Sequence, residues 1–230
     1  MKICVLGNSH TASLKSAWDE IKFLFPKIEL IFFAAIGGEL KHLKLENGIF
    51  IPRTTSVLRS IRVTSHGIDS VDINAYDIFL LYGLNFFVPS LDHSITSKVK
   101  KLTCLDILSS SLIKKLSSEI RSESSKPIFI GHSPQLCGLS STHLSRINKL
   151  NYTESLKLMR DTIGDSYGTI ISQPEETLIH SWFTDPKFLS EVFSLVDGSN
   201  ASGQLLSKTN IGHMNREFGR IWLEKFFTNF

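Results

Sequence analysis

The chain has 230 residues, 42% hydrophobic and 20% charged, with a formal net charge of +3; that length supports one substantial core and one domain spanning residues 1–230. The small positive charge comes from Lys and Arg residues dispersed along the chain, which excludes the basic stripe of a nucleic-acid binder. No run of about 18 apolar residues occurs, and the apolar stretch before Gly7 is too short for a signal peptide, so a cytoplasmic protein without a membrane span is expected.

Three cysteines, Cys4, Cys104 and Cys137, are odd in number and widely spaced. They read as buried thiols and not as a disulfide framework or a zinc site. The eight histidines include no closely spaced pair on one face, so neither a metal nor a cofactor is expected. The sequence leaves the oligomeric state open.

"KICVL" (2–6) is a strand-length apolar run ending at Gly7, and "TASLKSAWDEIKFLF" (11–25) has apolar residues at helical spacing up to Pro26. "KIELIFFAA" (27–35) reads as a second buried strand, ending at Gly37 and Gly38. The pattern then changes to short alternating pieces, "KHLKLENGIFI" and "SVLRSIRVTS". Asn47-Gly48 suits a tight hairpin turn, and a small β excursion is predicted near residues 41–65. "AYDIFLLYG", "KPIFIGH" and "YGTIISQ" are the third, fourth and fifth core strands. The stretches 94–123, 141–164 and 185–196 predict helices, and "NREFGRIWLEKFFTNF" predicts the last one. This alternation implies an α/β three-layer sandwich around a five-stranded parallel sheet.

Ligands of such a sheet collect at the carboxyl ends of its strands. Gly7-Asn8-Ser9-His10 follows strand one, Gly37-Gly38 follows strand two, Gly83-Leu84-Asn85 follows strand three, and His213 precedes the final helix. Each has a plain structural alternative: Ser9 or Thr11 could cap the first helix, Gly37-Gly38 could be only a turn, and His213 could be a surface residue beside a capping Asn215. In this order, however, the set resembles the SGNH (GDSL-like) hydrolases, named for those four residue types. The matching blocks are "GNSH", Gly37-Gly38, "GLN" and "GHMNREFG", spread over nearly the whole chain.

The resemblance implies a flavodoxin-like sheet, Ser9 as nucleophile and His213 as base. It also implies an oxyanion hole from the Ser9 N–H, Gly37 or Gly38, and the Asn85 side chain. The types suit acyl transfer: a serine hydroxyl needs a base to take its proton, and the oxyanion formed at the attacked carbonyl needs fixed donors. Asn8, His10 and His132 are candidates for holding substrate. One departure stands out. The family's acid, three residues before the histidine, is replaced by Asn210, which could orient the ring without charge; Asp197 or a backbone carbonyl could substitute.

A rival nucleophile, Ser133 in "FIGHSPQ", nearly matches an α/β-hydrolase elbow, but Pro134 has no N–H to donate to the oxyanion and Gln135 replaces the final glycine. The implied activity is hydrolysis of an ester through an acyl-Ser9 intermediate. The implied substrate is a small-molecule or glycan ester, with an acetyl ester of a sugar first. Interception by a sugar hydroxyl would make an acetyltransferase, and loss of the acid would also suit a non-catalytic glycan-binding protein.

Overall fold

The computed structural model describes residues 1–91, 94–137, 151–196, 203–207 and 210–230. Strand β1 (Lys2–Gly7) leads into helix α1 (Thr11–Ile21), and a 3-10 turn over 22–24 carries the chain to β2 (Glu29–Ala34). An antiparallel three-stranded excursion follows, made of β3 (Leu43–Glu46), β4 (Ile49–Pro52) and β5 (Val71–Asp72), with α2 (Thr55–Thr64) between its last two strands. Then come β6 (Ile78–Tyr82), α3 (Ser97–Ser110), α4 (Leu112–Glu123), β7 (Ile128–Gly131), α5 (Tyr152–Ile163) and β8 (Thr169–Ile171). A short hairpin of β9 (Leu178–Ile179) and β10 (Phe183–Thr184) precedes the last helix, α6 (Arg216–Phe227).

The main sheet is parallel throughout, in the order β2-β1-β6-β7-β8. Its five strands are the five read from the sequence. Successive side chains of a strand face opposite ways, and both faces are covered. Ile3, Val5, Leu80 and Tyr82 pack with Leu14 and Trp18 of α1 and Phe218 and Trp222 of α6. Cys4, Leu6, Phe79 and Leu81 pack with Val57 of α2, Ile107 of α3, Leu116 of α4 and Met159 of α5. The strands are therefore unbroken apolar runs, as expected of a sheet buried on both sides. The chain moves outward from β1 to β2 and then crosses back to β6, so a switch point opens between the loops after β1 and β6.

Two elements differ from the expectation. Residues 55–64, read as alternating pieces, form α2. The buried positions Val57, Ser60, Ile61 and Thr64 have helical spacing, and the Thr54 side chain accepts from the Val57 N–H as a cap. Residues 185–196, read as a helix, form only a 3-10 turn (Pro186–Leu189) and then an extended segment bridged from Phe193 to Leu205. Glu191 lies in the left-handed region at φ 53°, and this ends any helix despite the buried spacing of Phe188, Val192 and Leu195. Residues 141–150 of a further expected helix lie outside the described residues.

Asn47 (φ 51°) and Gly48 (φ 77°) make the tight turn between β3 and β4, both in the left-handed region such turns require. On the opposite layer, α6 lies so close to α1 that a Cβ on Gly219 would overlap the Ser13 carbonyl. In an exposed helix, glycine to alanine gains about 1 kcal/mol. At this crossing, Gly219→Ala should lower stability by about 1–3 kcal/mol, as overpacked cores do. Urea denaturation measures the sign, and a stabilised variant would show that the helices part without cost.

Candidate active site

β1 ends at Gly7 because a side chain there would collide with the Thr11 side chain and the Tyr82 carbonyl of β6. The turn that follows is tight: the Thr11 N–H and hydroxyl both donate to the Asn8 carbonyl, at 3.0 and 2.7 Å. The buried Asn8 Oδ1 accepts the His10 N–H at 3.2 Å. Helix α1 thus starts at Thr11 without any side-chain cap. The Ser9 hydroxyl, left without a capping role, lies 2.9 Å from His213 Nε2.

His213 sits just before α6, whose first turn is capped by Asn215 Oδ1 accepting from the Phe218 N–H at 3.1 Å. Its Nδ1 lies 2.9 Å from Asn210 Oδ1. An amide oxygen only accepts, so Nδ1 carries the proton and Nε2 turns its lone pair to the Ser9 hydroxyl. Desolvation holds the His213 pKa below its ordinary value, and the ring is neutral at neutral pH. His10 stacks on it, with ring centroids 4.7 Å apart and planes at 24°. Burial first, and the His213 charge second, push the His10 pKa down to about 3, so His10 is an uncharged neighbour.

The loop after β6 supplies Asn85. Gly83, Leu84 and Asn85 all have left-handed φ angles, 74°, 53° and 61°, a conformation that costs a non-glycine residue about 1–3 kcal/mol and persists only where its surroundings enforce it. Here Leu84 is fully buried, and the Asn8 side chain occupies the place of a Gly83 Cβ. The turn brings Asn85 Nδ2 to 3.8 Å from where a Gly38 Cβ would lie, so the loops after β2 and β6 meet. Gly37 (φ 55°) shapes the β2 loop and borders open space. Among the described residues no acceptor takes the backbone N–H of Ser9 or Gly38.

Ser9, Asn210 and His213 therefore come together from residues 204 apart in sequence. The other expected site residues fare differently. Asn8, expected to hold substrate, is buried and spends its side chain on the turn. His132, also expected to bind substrate, is buried behind the β7 loop. Its Nδ1–H donates to the Ser133 carbonyl at 2.6 Å, and its Nε2 accepts from the Tyr152 hydroxyl at 2.7 Å. Burial lowers its pKa to about 4, so it is a neutral structural link. Neither of its nitrogens serves the Ser133 hydroxyl. Asp197 lies outside the described residues.

Beside this cluster runs a cleft of about 670 Å³ bordered by His10, Asn85 and Gly212. Phe87, Leu136 and Trp182 line it, and no motif in the sequence announced them.

No protein-family model and no curated protein sequence matches the chain. Among solved structures it is similar to the periplasmic domain of a lipopolysaccharide acetyltransferase from Salmonella ser. Paratyphi A, at 15% identity and a TM-score of 0.48, over 99% of this chain and 82% of that one. It is also similar to a DUF4886 family protein from Bacteroides uniformis, at 12% identity and a TM-score of 0.35, over 80% of this chain and 76% of that one. Likenesses this distant say nothing about substrate.

The His213 geometry has a direct readout. In an NMR titration its ring protons should shift with a midpoint below the 6.5 of an ordinary histidine. Asn210→Asp should move that midpoint upward, because a carboxylate on Nδ1 stabilises the imidazolium. An unmoved midpoint would show that residue 210 does not govern the ring.

Proposed function

We propose that the protein is a serine esterase acting through an acyl-Ser9 intermediate. The observation that carries this reading is the chain of hydrogen bonds from Ser9 through His213 to Asn210, oriented so that the imidazole lone pair meets the serine hydroxyl. In the first half-reaction His213 Nε2 takes the Ser9 proton as Oγ bonds to the ester carbonyl carbon. The carbonyl oxygen becomes an oxyanion, held by the Ser9 and Gly38 N–H groups and the Asn85 amide. The N-terminus of α1, with its positive dipole end, adds to this field. His213 then gives the proton to the departing alkoxide, and the acyl group remains on Ser9. Water, deprotonated by His213, attacks the acyl-enzyme, and collapse returns the proton to Ser9.

Asn210 sets the tautomer but leaves the transient imidazolium without a negative partner. In a protease triad whose aspartate was changed to asparagine, turnover fell about 10⁴-fold through the wrong tautomer. Here the tautomer is already the productive one, and only the charge is missing. The leaving group we assign, from the motif resemblance, is a hydroxyl of a sugar. A second sugar hydroxyl in place of water would make the same site an acyltransferase.

The test uses p-nitrophenyl butyrate and a serine-directed fluorophosphonate. Ser9→Ala and His213→Ala should each lower kcat by about 10⁴-fold or more, and intact mass should show one phosphonate adduct, on Ser9. Asn210→Asp should raise kcat by about tenfold, the effect of roughly 1.4 kcal/mol of imidazolium stabilisation. Adding methyl glucoside tells transfer from hydrolysis by the appearance of its ester. Turnover that survives Ser9→Ala and is lost in Ser133→Ala would overturn the acyl-Ser9 reading and make Ser133 the nucleophile.

A further inference from the structure

The cleft bordered by His10, Asn85 and Gly212 is too large and too apolar for an acetyl group. Phe87, Val88, Pro134, Leu136, Trp182 and Phe183 line it, and among the described residues no Asp, Glu, Lys or Arg does. Its volume of about 670 Å³ falls in the range, about 300–1,000 Å³, of sites that enclose whole drug-sized ligands. Phe87 and Leu136 keep 49% and 54% of their surface in solvent, an exposure that an apolar ligand would relieve. An acetyl group brings one methyl to such walls. A hexose would bring several hydroxyls, each costly to desolvate without a partner. The cleft's polar side chains are few: Ser90, Ser133 and Gln135 beside His10 and Asn85 at the Ser9 end.

The cleft also adjoins the Ser9–His213 pair through residues next to it: His10, which stacks on His213, and Gly212, which precedes His213, both line the cleft. Asn85 and His10 border it, and Gly212, next to His213, faces Leu136 across a gap with room for little more than a methyl group. We infer that this cleft takes the acyl chain of the substrate, and that the chain is a linear alkyl group of medium length, about six to ten carbons. The sugar hydroxyl that accepts or releases the acyl group then lies on the other side of Ser9. This inference rests on the acyl-Ser9 reading for the position of the carbonyl.

Two measurements test it separately from that reading. In the first, p-nitrophenyl esters from acetate to decanoate are compared. kcat/KM should rise about fourfold for each added methylene until the cleft is full, so that octanoate, six methylenes longer, should exceed acetate by about 10³-fold. Leu136→Ser and Phe87→Ser, both at half-exposed positions that tolerate change, should cut the octanoate-to-acetate ratio by about tenfold. The second measurement needs no catalysis: free hexanoate, octanoate and decanoate are titrated into Ser9→Ala protein with Trp fluorescence as readout. Affinity should tighten with each methylene. Affinity that does not change with chain length, or an ester profile that peaks at acetate, overturns the inference. Chain-length-dependent binding without ester turnover by the native protein would uphold the cleft and sink the acyl-Ser9 reading.

Discussion

Helix α6 can lie against α1 only because residue 219 has no side chain, and the whole site hangs on that contact. Ser9 stands two residues before α1 and His213 three before α6. Docking the two helices on one face of the sheet therefore sets the distance between a hydroxyl and an imidazole 204 residues apart. The hydrogen bond between them, with a net worth of about 0.5–1.5 kcal/mol, could not hold two chain segments in register. Burial of Leu14, Trp18, Phe218, Trp222 and Phe226 can, because each such side chain contributes about 1.5–3 kcal/mol.

The cleft lining around Gln135 and Phe183 is held by a different device, a buried polar hub. The Gln173 backbone N–H donates to the Tyr152 hydroxyl, which in turn donates to His132. Gln173 Oε1 accepts the Gln135 N–H, and its Nε2 donates to Thr177 and Thr184. One amide thus ties the β7 loop to the β9–β10 hairpin and, through Tyr152, to α5. A buried network is stabilising only when its members are satisfied, and the side-chain oxygen and nitrogen of Gln173 are both engaged. The result is a cleft wall built before any ligand arrives, which lowers the ordering cost of binding.

Charge is sparse in the Ser9–His213 cluster. Ser9, His10, Asn210 and His213 are all neutral at neutral pH, so the site places no uncompensated ion in a partly desolvated pocket. A carboxylate at half-buried position 210 would stabilise the imidazolium, yet it would carry a desolvation cost in the resting state. Asparagine at 210 avoids that cost and holds the Nδ1–H tautomer through its amide oxygen, without a negative charge beside the ring.

The five core strands and the three strand-end blocks were legible in the sequence because a sheet buried on both faces writes long apolar runs ended by glycines. The positions of Ser9, Asn85, Asn210 and His213 could be read for the same reason, since they follow those runs or precede the last amphipathic helix, and the structure brings Ser9, His213 and Asn210 into contact. What the sequence left open was decided by tertiary packing. Whether Ser9 caps α1 or meets a base depends on where α6 lies, and a single position without a side chain allows that approach. Asn8 and His132 looked like ligands beside a rim, but burial turned them inward, because a polar group enclosed by the core must find its partners there. Residues 55–64 became a helix once their apolar face had the flank of the sheet to cover, and 185–196 failed to become one where Glu191 takes a left-handed turn. The cleft left no trace in the sequence at all: Phe87, Leu136 and Trp182 are far apart in the chain, and only the meeting of three loops makes them one wall.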